Sequence, residues 1–491
     1  MVFAMLVLAS LLLSWSAGGG QTARAATTSV KSDVPVDWGT WGFGLARSGY
    51  NPFERDLTTT TVAGLQQRWT FDLHAVVDTQ PIVASNLSVL VGTSRRVISP
   101  TKQVVVRTFQ QLGNVVFVGS EHGRFFAVNA ATGQQIWARS LGDSGTGCQQ
   151  TPDSRWGITG APALDRTTGT VYVAAGNGLV YALDMATGEN RPGWPVRITS
   201  DPRHEHVWGA LAASHDDLYV PLAGLCDALP YHGRLVKISE RAHRVVRNWF
   251  VVPPSRQGGS IWGWGGVSID QNAGQIFAAT GNSKTLPESS GFAEHVVRLG
   301  MDLGVQQSNY PGLTGSDVDF GSTPMLYQAP GCRPQLTVMN KSGELFVYNR
   351  NSISAGPLQT MVVASPHQFI GVTAYDPVTN MVYVANPANR GDFTHGLVAF
   401  QVNSSCRLTR AWQQEAGLDQ LPTSTPTVAG DVVYYGDGPG NRVHAFNAAT
   451  GAPLWDSGNS IQGAVFAAPT VVNGWLFAAS RDGRLHAYTT G

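Results

Sequence analysis

Short runs of alternating apolar and polar residues recur along the chain, each followed by a tight turn. In GRFFAVNAATGQQIW, residues 123–137, a glycine turn precedes an alternating run, an Ala-Thr-Gly turn and a short segment that ends in tryptophan. GLVYALDMATGENRPGW (178–194) and NRVHAFNAATGAPLW (441–455) repeat this order, and an apolar run precedes each copy. Alternation with period two predicts β-strands, and the repetition predicts an array of one supersecondary unit.

Eight copies of this unit are predicted, the first with an insertion at roughly residues 93–112. The eighth, AAPTVVNGWLFAASRDGRLHAYTTG, ends the chain without a fourth strand. QQRWTFDL, at residues 66–73, carries a tryptophan where that strand should have one. An N-terminal strand in this place closes the array and hides the strand edges that an open array would expose. We therefore predict an all-β, eight-bladed β-propeller of four-stranded blades in preference to an open β-solenoid.

The first 25 residues have the pattern of a signal peptide. Their apolar stretch precedes Ala-Arg-Ala, a small-x-small site suited to cleavage before Ala26. No Lys or Arg precedes the stretch, which a start further upstream would explain. A retained membrane anchor is the alternative to a cleaved signal peptide, although the stretch is short for a bilayer span. We predict a signal peptide at 1–25, an N-terminal arm at 26–64 and the propeller at 65–491. The mature protein is expected to be periplasmic or extracellular, without a membrane span.

Charge and cysteine content exclude several kinds of site. Thirty-three basic residues balance thirty-three acidic ones, so no electrostatic footprint for nucleic acid is visible. The four cysteines form neither CxxC nor CxxCH, which argues against a covalent haem or a zinc ribbon. In an exported chain their even number indicates two disulfides, or else buried thiols.

The repeated AxxxxTGxxxW signature, with a glycine four residues before the alanine, resembles that of the pyrroloquinoline-quinone (PQQ) repeat propellers. This family includes quinoprotein alcohol dehydrogenases and an outer-membrane assembly scaffold without cofactor, and the resemblance covers nearly everything after the signal peptide. The motif is specific for the fold rather than the function. Two functions follow from it. One is an exported PQQ-dependent dehydrogenase of alcohols or sugars, with a separate electron acceptor. The other is a cofactor-free propeller for protein binding or envelope assembly.

Loop topology sorts the residues of a propeller between its two faces. In a blade with strands A to D, the D-to-A and B-to-C loops share one face, and the other loops share the opposite face. The first face should gather Asp78, Thr159, His206, Trp264, Asn282, Asp319, Lys341, His367 and Asn386. Such a ring of polar groups suits a flat, polar ligand. The same sorting favours Cys148–Cys226 and Cys332–Cys406 among the three possible connectivities.

The resemblance assigns roles to residues of blades four and five. SIWGWGGVSIDQNAGQIFAATGNS resembles the family blade that carries a tryptophan under the cofactor ring, here Trp264, and a calcium-binding asparagine, here Asn282. DVDFGSTP matches the family's catalytic aspartate with Asp319, also a predicted metal ligand, and NKSGELFVYNR matches a basic residue near the quinone oxygens with Lys341. The family chemistry would have calcium polarise the quinone, Lys341 add positive charge and Asp319 take the alcohol proton.

Three further cofactor contacts follow from the resemblance: Thr159 in TGAP, Asp78 in DTQP in place of a family glutamate, and Asn386 as a looser match. The chain also departs from the family. It lacks the vicinal Cys-Cys pair that caps the cofactor, residues 176–178 are Gly-Asn-Gly where the family has a calcium carboxylate, and LPTSTP replaces a late Trp-Gly-Gly motif. These departures favour the scaffold, whereas the ordered set of matches favours the enzyme.

Overall fold

The computed structural model describes residues 36–98, 104–148, 154–366, 373–417, 424–438 and 440–491, and it consists almost entirely of β-strands. Eight antiparallel sheets follow one another along the chain, and the first strands of neighbouring sheets contact one another around a common axis. Each sheet is a blade, with strands A to D in order. The predicted eight-bladed β-propeller is therefore confirmed. The predicted signal peptide, residues 1–25, and His367 lie outside the described residues.

In each of blades 1 to 4, strands A to D follow one another directly along the chain. Blade 1 comprises Ile82–Ile98, Val104–Gly119, Arg124–Asn129 and Gln135–Ser140. Blade 2 comprises Ala163–Asp165, Thr170–Ala175, Leu179–Asp184 and Val196–Arg197. Blade 3 comprises Ala212–Ser214, Asp217–Leu222, Arg234–Ser239 and Arg244–Phe250. Blade 4 comprises Ser268–Asp270, Gln275–Ala279, Val296–Gly300 and Val305–Asn309.

Blades 5 to 7 keep this order, and blade 8 takes its last strand from near the N-terminus. Blade 5 comprises Met325–Tyr327, Gln335–Met339, Glu344–Asn349 and Gln359–Val362. Blade 6 comprises Ala374–Asp376, Met381–Asn386, Gly396–Val402 and Leu408–Gln414. Blade 7 comprises Thr427–Ala429, Val432–Asp437, Arg442–Asn447 and Pro453–Asp456. Blade 8 comprises Thr470–Val472, Trp475–Ala479, Arg484–Thr489 and, as strand D, Gln66–Asp72.

Few elements lie outside the blades. Ser144–Gly145 and Arg155–Trp156 form a small hairpin between blades 1 and 2, and Tyr50–Asn51 pairs in parallel with strand A of blade 7. Within the described ranges, 3₁₀ turns span Val62–Gly64 and Ile353–Ala355. In the described ranges no helix has the length and apolar character needed to cross a bilayer.

The burial of each strand follows its position in the blade. Strand B of blade 2, Thr170–Ala175, is buried at all six positions, because neighbouring blades cover both of its faces. Strand D of blade 8, Gln66–Asp72, instead mixes exposed and half-buried positions at the rim. The continuous apolar runs in the sequence are thus inner strands, and the more polar segments that end in tryptophan are outer ones.

The Ala-Thr-Gly turn is a docking site for the tryptophan of the preceding blade. A Cβ on Gly133 would lie 2.7 Å from the Trp69 ring, and Gly133 has a φ of +70°. The Trp69 indole N–H donates a hydrogen bond of 3.1 Å to the Ala130 carbonyl. Trp137 on Gly188 and Trp412 on Gly451 repeat this arrangement. The signature therefore encodes the contact between adjacent blades.

The ring closes where the two ends of the propeller meet. Gln66–Asp72 pairs antiparallel with Arg484–Thr489, which confirms the predicted N-terminal closing strand. The insertion in the first repeat is also explained, because strands A and B of blade 1 extend together into a long hairpin that pairs Ile98 with Val104.

The arm before the closing strand runs along the centre of the ring, which its sequence did not predict. Its residues between Trp38 and Asn51 bond to or beside strand A of every blade, at Val83, Leu164, Leu211, Ile269, Leu326, Tyr375, Val428 and Val471 in order. Arg47 is fully buried and donates to the carbonyls of Leu211 and Val267. Burial lowers its pKa to about 9. This part of the arm is thus a central segment that bonds to every blade of the ring.

Candidate functional site

A pocket of about 280 Å³ lies among the D-to-A and B-to-C loops of blades 3 to 5. Three predicted site residues, Asn282, Asp319 and Lys341, line it together. The other lining residues are Trp208, Gly224, Leu225, Cys226, Asp227, Ser260, Trp262 and Asp317. Asp319 belongs to a D-to-A loop and Lys341 to a B-to-C loop, as expected from the sorting of loops between faces.

A buried ion pair forms the centre of this pocket. The Lys341 ammonium lies 2.7 Å from Oδ1 of Asp319 and 2.5 Å from Oδ1 of Asp317. Burial raises the pKa of Asp319, and the charge of Lys341 opposes this rise. The two carboxylates in turn raise the pKa of Lys341 against the effect of its burial. Lys341 thus opposes protonation of Asp319, and the two carboxylates oppose deprotonation of Lys341.

Trp262 completes the surroundings of Asp319. Its indole N–H donates a hydrogen bond of 2.9 Å to Oδ2 of Asp319, and the Lys341 ammonium lies 5.0 Å from the centre of its ring. The indole thus contacts both members of the ion pair, through its polar edge and its π-face. Sequence reasoning selected Trp264, two residues further along, and missed Trp262.

Trp264 lies deeper than the pocket lining. It is buried in a core cluster with Trp41 of the arm, and its ring centroid is 5.9 Å from that of Trp208. Trp208 does line the pocket, so Trp264 supports the site from behind through Trp208. Its proposed place under a cofactor ring stays a prediction.

Asn282 lines the pocket with a polar side chain that is not engaged by the described residues of the fold. It is 5% exposed, and within the described part of the chain its amide makes no hydrogen bond. Its backbone carbonyl accepts from Gly259. A buried amide that faces a pocket without a partner is a ready ligand for a bound group. Asn282 is therefore free to bind, whatever its ligand.

A buried carboxyl, Glu294, lies next to this group. The Glu294 backbone N–H donates to the carbonyl of Gly281, and a Cβ on Gly281 would lie 2.9 Å from Oδ2 of Asp319. Burial and the nearby Asp319 raise the pKa of Glu294 to about 7. Its Oε1 is buried and has no hydrogen-bond partner among the described residues. A proton on Glu294 would therefore relieve repulsion beside the pocket.

Asp78 and Thr159 belong to a second polar cluster, formed by blades 8, 1 and 2. Arg481 makes two hydrogen bonds of 2.8 Å to the Asp78 carboxylate. Thr159 Oγ donates a bond of 2.7 Å to Glu121, whose other oxygen accepts from the Gly157 N–H at 2.9 Å. Burial, followed by the charge of Asp78, raises the pKa of Glu121 to about 7. Two carboxylates and one guanidinium thus share this cluster.

A row of tryptophans connects the two clusters. Trp156, next to Gly157, lies 4.8 Å from Trp208 between ring centroids, and Trp208 lies 6.1 Å from Trp262. His206 packs on Trp156 at 4.9 Å, and burial lowers its pKa to about 4. Trp208 and Trp262 of this row line the pocket with aromatic rings, and Trp156 extends the row toward the second cluster.

Asn386 is committed to the framework of the fold. Its amide nitrogen donates to the carbonyls of Val363 and Thr394, at 3.0 and 2.8 Å, and the residue is fully buried. It is not among the residues that line the pocket. Its predicted cofactor contact stays a prediction, and its observed contacts hold blades 5 and 6 together.

Both predicted disulfides are present. Cys148 bonds to Cys226 and Cys332 to Cys406, with Cα atoms 5.8 and 5.6 Å apart. The first lies on the face of the pocket, whose lining includes Cys226, and the second lies away from it. Among the described residues no group of three or more His, Cys, Asp or Glu could by itself hold a metal ion.

Sequence reasoning missed several residues that a stricter reading of the same loops would have found. Glu121 and Arg481 occupy the B-to-C turns of blades 1 and 8, which correspond to the turn of Lys341 in blade 5. Asp317 precedes Asp319 by two residues in Asp-Val-Asp. The equivalent turns and the alternation were visible signals, whereas the choice between Trp262 and Trp264 had none.

Known proteins share this architecture. The PQQ-repeat family model described as outer membrane protein assembly factor BamB matches residues 91–247 and 379–491, more than half of the chain. A polyvinylalcohol dehydrogenase of a Pseudomonas species is 22% identical over 94% of this chain and 75% of its own.

Solved structures show the same fold. The quinohemoprotein alcohol dehydrogenase of Comamonas testosteroni matches with a TM-score of 0.65 at 17% identity, over 93% of this chain and 80% of that one. BamB from Moraxella catarrhalis matches with a TM-score of 0.53 at 16% identity, over 87% and 97% of the two chains. At these identities the structures are evidence for the fold alone.

Proposed function

We propose, from the premise that this chain belongs to the PQQ-repeat propeller family, that it is an exported quinoprotein-type dehydrogenase oxidising an alcohol or sugar. One observation carries the proposal: Asn282, Asp319 and Lys341 line a single pocket, in which the amide of Asn282 has no partner among the described residues. The named dehydrogenase relatives support the same chemistry. The two disulfides support export, because such bonds persist in oxidising compartments.

The residues of the pocket fit a flat quinone. Trp208 and Trp262 offer aromatic faces, and Asn282 and Lys341 offer hydrogen-bond donors. Arg481 and Thr159 would meet polar groups at the second cluster, which the tryptophan row connects to the pocket. When bound, the quinone supplies the two-electron acceptor for the oxidation. Electrons would then pass to a separate acceptor, because the chain has no haem-binding motif.

The oxygen atoms of the pocket fit calcium. Asn282 offers an amide oxygen, and each carboxylate oxygen of Asp319 keeps a second lone pair beside its bond to Lys341 or Trp262. Oxygen donors of this kind suit calcium rather than a transition metal. The chain offers no carboxylate at residues 176–178 as a further calcium ligand. Asp317 is another carboxylate that lines the pocket, and it lies at the exposed edge.

Asp319 is the proposed general base. Its carboxylate would accept the hydroxyl proton of the alcohol, and its raised pKa makes it a stronger base than an exposed aspartate. Lys341 holds Asp319 ionised before the reaction and supplies positive charge to the pocket. The Trp262 indole N–H bonds to Oδ2 of Asp319, and the Lys341 ammonium contacts Oδ1. Together the two contacts fix the orientation of the carboxylate.

A cofactor-free scaffold for protein binding or envelope assembly is the second candidate. Its support is the family model described as BamB, together with the lack of a carboxylate at residues 176–178. In this case the Asp319–Lys341 pair would serve only to stabilise blades 4 and 5.

Reconstitution separates the two candidates. The purified protein is incubated with PQQ and calcium, and reduction of an artificial dye is followed with simple alcohols and sugars. The enzyme should show quinone absorbance and turnover, and Asp319→Asn should keep the quinone while losing turnover. Absence of both absorbance and turnover in the wild-type protein would overturn the dehydrogenase proposal and favour the scaffold.

A further inference from the structure

One wall of the pocket comes from a loop without regular structure. Residues 223–233 join strands B and C of blade 3, and the pocket-lining residues 224–227 belong to this loop. Cys226 and Asp227 have φ angles of +51° and +53°, a left-handed conformation that successive non-glycine residues rarely adopt. These two residues are the central positions of a tight turn, which the Ala228 N–H closes by donating to the Leu225 carbonyl at 3.0 Å.

Several contacts hold this turn against the rest of the protein, among them a bond of 3.1 Å from the Gly224 N–H to Ser260 Oγ. Cys226 is bonded to Cys148, which lies beside the hairpin that carries Trp156. The Trp208 indole N–H donates to the Gly224 carbonyl at 3.1 Å. Asp227 pairs with Lys284 at 2.9 Å and accepts from Tyr231 at 2.9 Å. Of these contacts, the disulfide is covalent. It joins residues 224–227 to the segment beside the hairpin that carries Trp156, a member of the tryptophan row.

The packing around the disulfide supports a local role. Cys148, Trp156 and Leu225 form one small apolar cluster with Trp208 against it. Leu225 and Trp208 both line the pocket, so the cluster reaches from the disulfide to the pocket surface. Separation of the two sulfur atoms would leave the loop attached to the tryptophan row only by the Gly224–Trp208 hydrogen bond and the packing of Leu225.

We propose that the Cys148–Cys226 disulfide is a positioning element of the pocket, which holds residues 224–227 against the tryptophan row and makes ligand binding depend on the oxidised cysteine pair. The binding part of this statement rests on the proposed function, and the wall part does not. In the reduction a dithiol supplies two electrons and two protons to the disulfide. Two thiols form, and the dithiol is oxidised to its own disulfide.

The second disulfide of the chain is a matched control. The two bonds close sequence separations of 78 and 74 residues, so their effects on the entropy of the unfolded chain are nearly equal. Cys332–Cys406 joins blades 5 and 6 away from the pocket. A loss of general stability should therefore be alike in the two double variants, and only the local effect on the wall should differ.

The experiment compares C148S/C226S with C332S/C406S by hydrogen exchange in the absence of any ligand. We expect the amides of residues 223–233 to exchange at least tenfold faster in the first variant and unchanged in the second. PQQ with calcium is then titrated against each protein, with tryptophan fluorescence as the readout. We expect a Kd at least tenfold weaker in the first variant and within twofold of wild type in the second.

Equal exchange in the two variants, or no change in either, would overturn the wall assignment. If the wild-type protein does not bind PQQ, the proposed function fails while the exchange comparison still decides the wall. If C148S/C226S does not fold, the remaining disulfide of folded C332S/C406S is reduced with dithiothreitol. Exchange is then measured before and after reduction. Faster exchange confined to residues 223–233 supports the proposal, and unchanged exchange overturns it.

Discussion

The ammonium of Lys341 lies 2.7 Å from Oδ1 of Asp319, and the side chains are only 16% and 3% exposed. A buried pair of this kind depends on both members, because either one alone would be an uncompensated charge in an apolar environment. Asp317, the second partner of Lys341, is 57% exposed and does not carry that cost.

Lys341→Met should lower the free energy of unfolding by about 3 kcal/mol at pH 8, since Asp319 would remain buried without its counterion. The loss should be smaller at pH 5, because the pKa of Asp319 is raised and the variant can protonate it. Urea denaturation at the two pH values measures both. Asp317→Asn is the control and should cost less than about 1 kcal/mol. Equal losses in the two variants would contradict this account.

Glu294 should make stability depend on pH. Its pKa is raised to about 7 in the folded protein, so folding favours the protonated form. The free energy of unfolding should therefore fall as the pH rises from about 4.5, near the unfolded value, to about 7. Glu294→Gln should match wild type at the lower limit and exceed it above pH 7 by about 3 kcal/mol.

Denaturation of wild type and Glu294→Gln across this range measures the difference in their free energies of unfolding. Other carboxyls titrate in both proteins, so their contributions cancel in this difference. The exposed Glu189 provides the control substitution Glu189→Gln. A constant difference between wild type and Glu294→Gln at all pH values would show that the buried carboxyl does not titrate in this range.

Gly133→Ala tests the docking of tryptophan on the Ala-Thr-Gly turn. The new methyl group would lie 2.7 Å from the Trp69 ring, so the closing strand of blade 8 must shift. We expect a loss of about 3 kcal/mol or more, measured by thermal or urea unfolding. Gly312 has a similar φ of +77° but open space around it, so Gly312→Ala should cost only the backbone strain of about 1 kcal/mol. A similar cost in both variants would argue against the docking contact.

Asn282 and Asn386 should respond differently to substitution. Asn386→Ala should cost about 2 kcal/mol, because two buried carbonyls lose their donor. Asn282→Ala should change stability by less than about 0.5 kcal/mol and abolish calcium-dependent binding of PQQ. Urea denaturation and a fluorescence titration measure the two effects. A large loss of stability in Asn282→Ala would mean that this amide serves the fold rather than a ligand.

The fold was accessible from sequence because its signals are local. Blades 1 to 7 are each encoded by one contiguous repeat, and the Trp69–Gly133 contact needs only a tryptophan and a glycine at fixed positions. The closing strand was equally visible, because a truncated last repeat and an isolated QQRWTFDL segment complete each other. Loop topology then brought Asp319 and Lys341 to one face without coordinates.

The central position of the arm could not be predicted in this way. Residues between Trp38 and Asn51 have no periodicity, because their backbone bonds go to strand A of successive blades rather than to one neighbouring strand. Each such bond joins residues that are distant in sequence, and no local pattern marks its partner. The burial of Arg47 at the centre is likewise a property of the closed ring.

The sequence by itself determined the eight blades, their closure and the loops that share a face, because each follows from a repeated local pattern. Only the tertiary structure decided that Trp262 bonds to Asp319 while Trp264 packs behind Trp208. The two indoles are two residues apart in one glycine-rich segment, so local pattern treats them alike. How blade 4 packs against blades 3 and 5 selects the one that reaches the pocket.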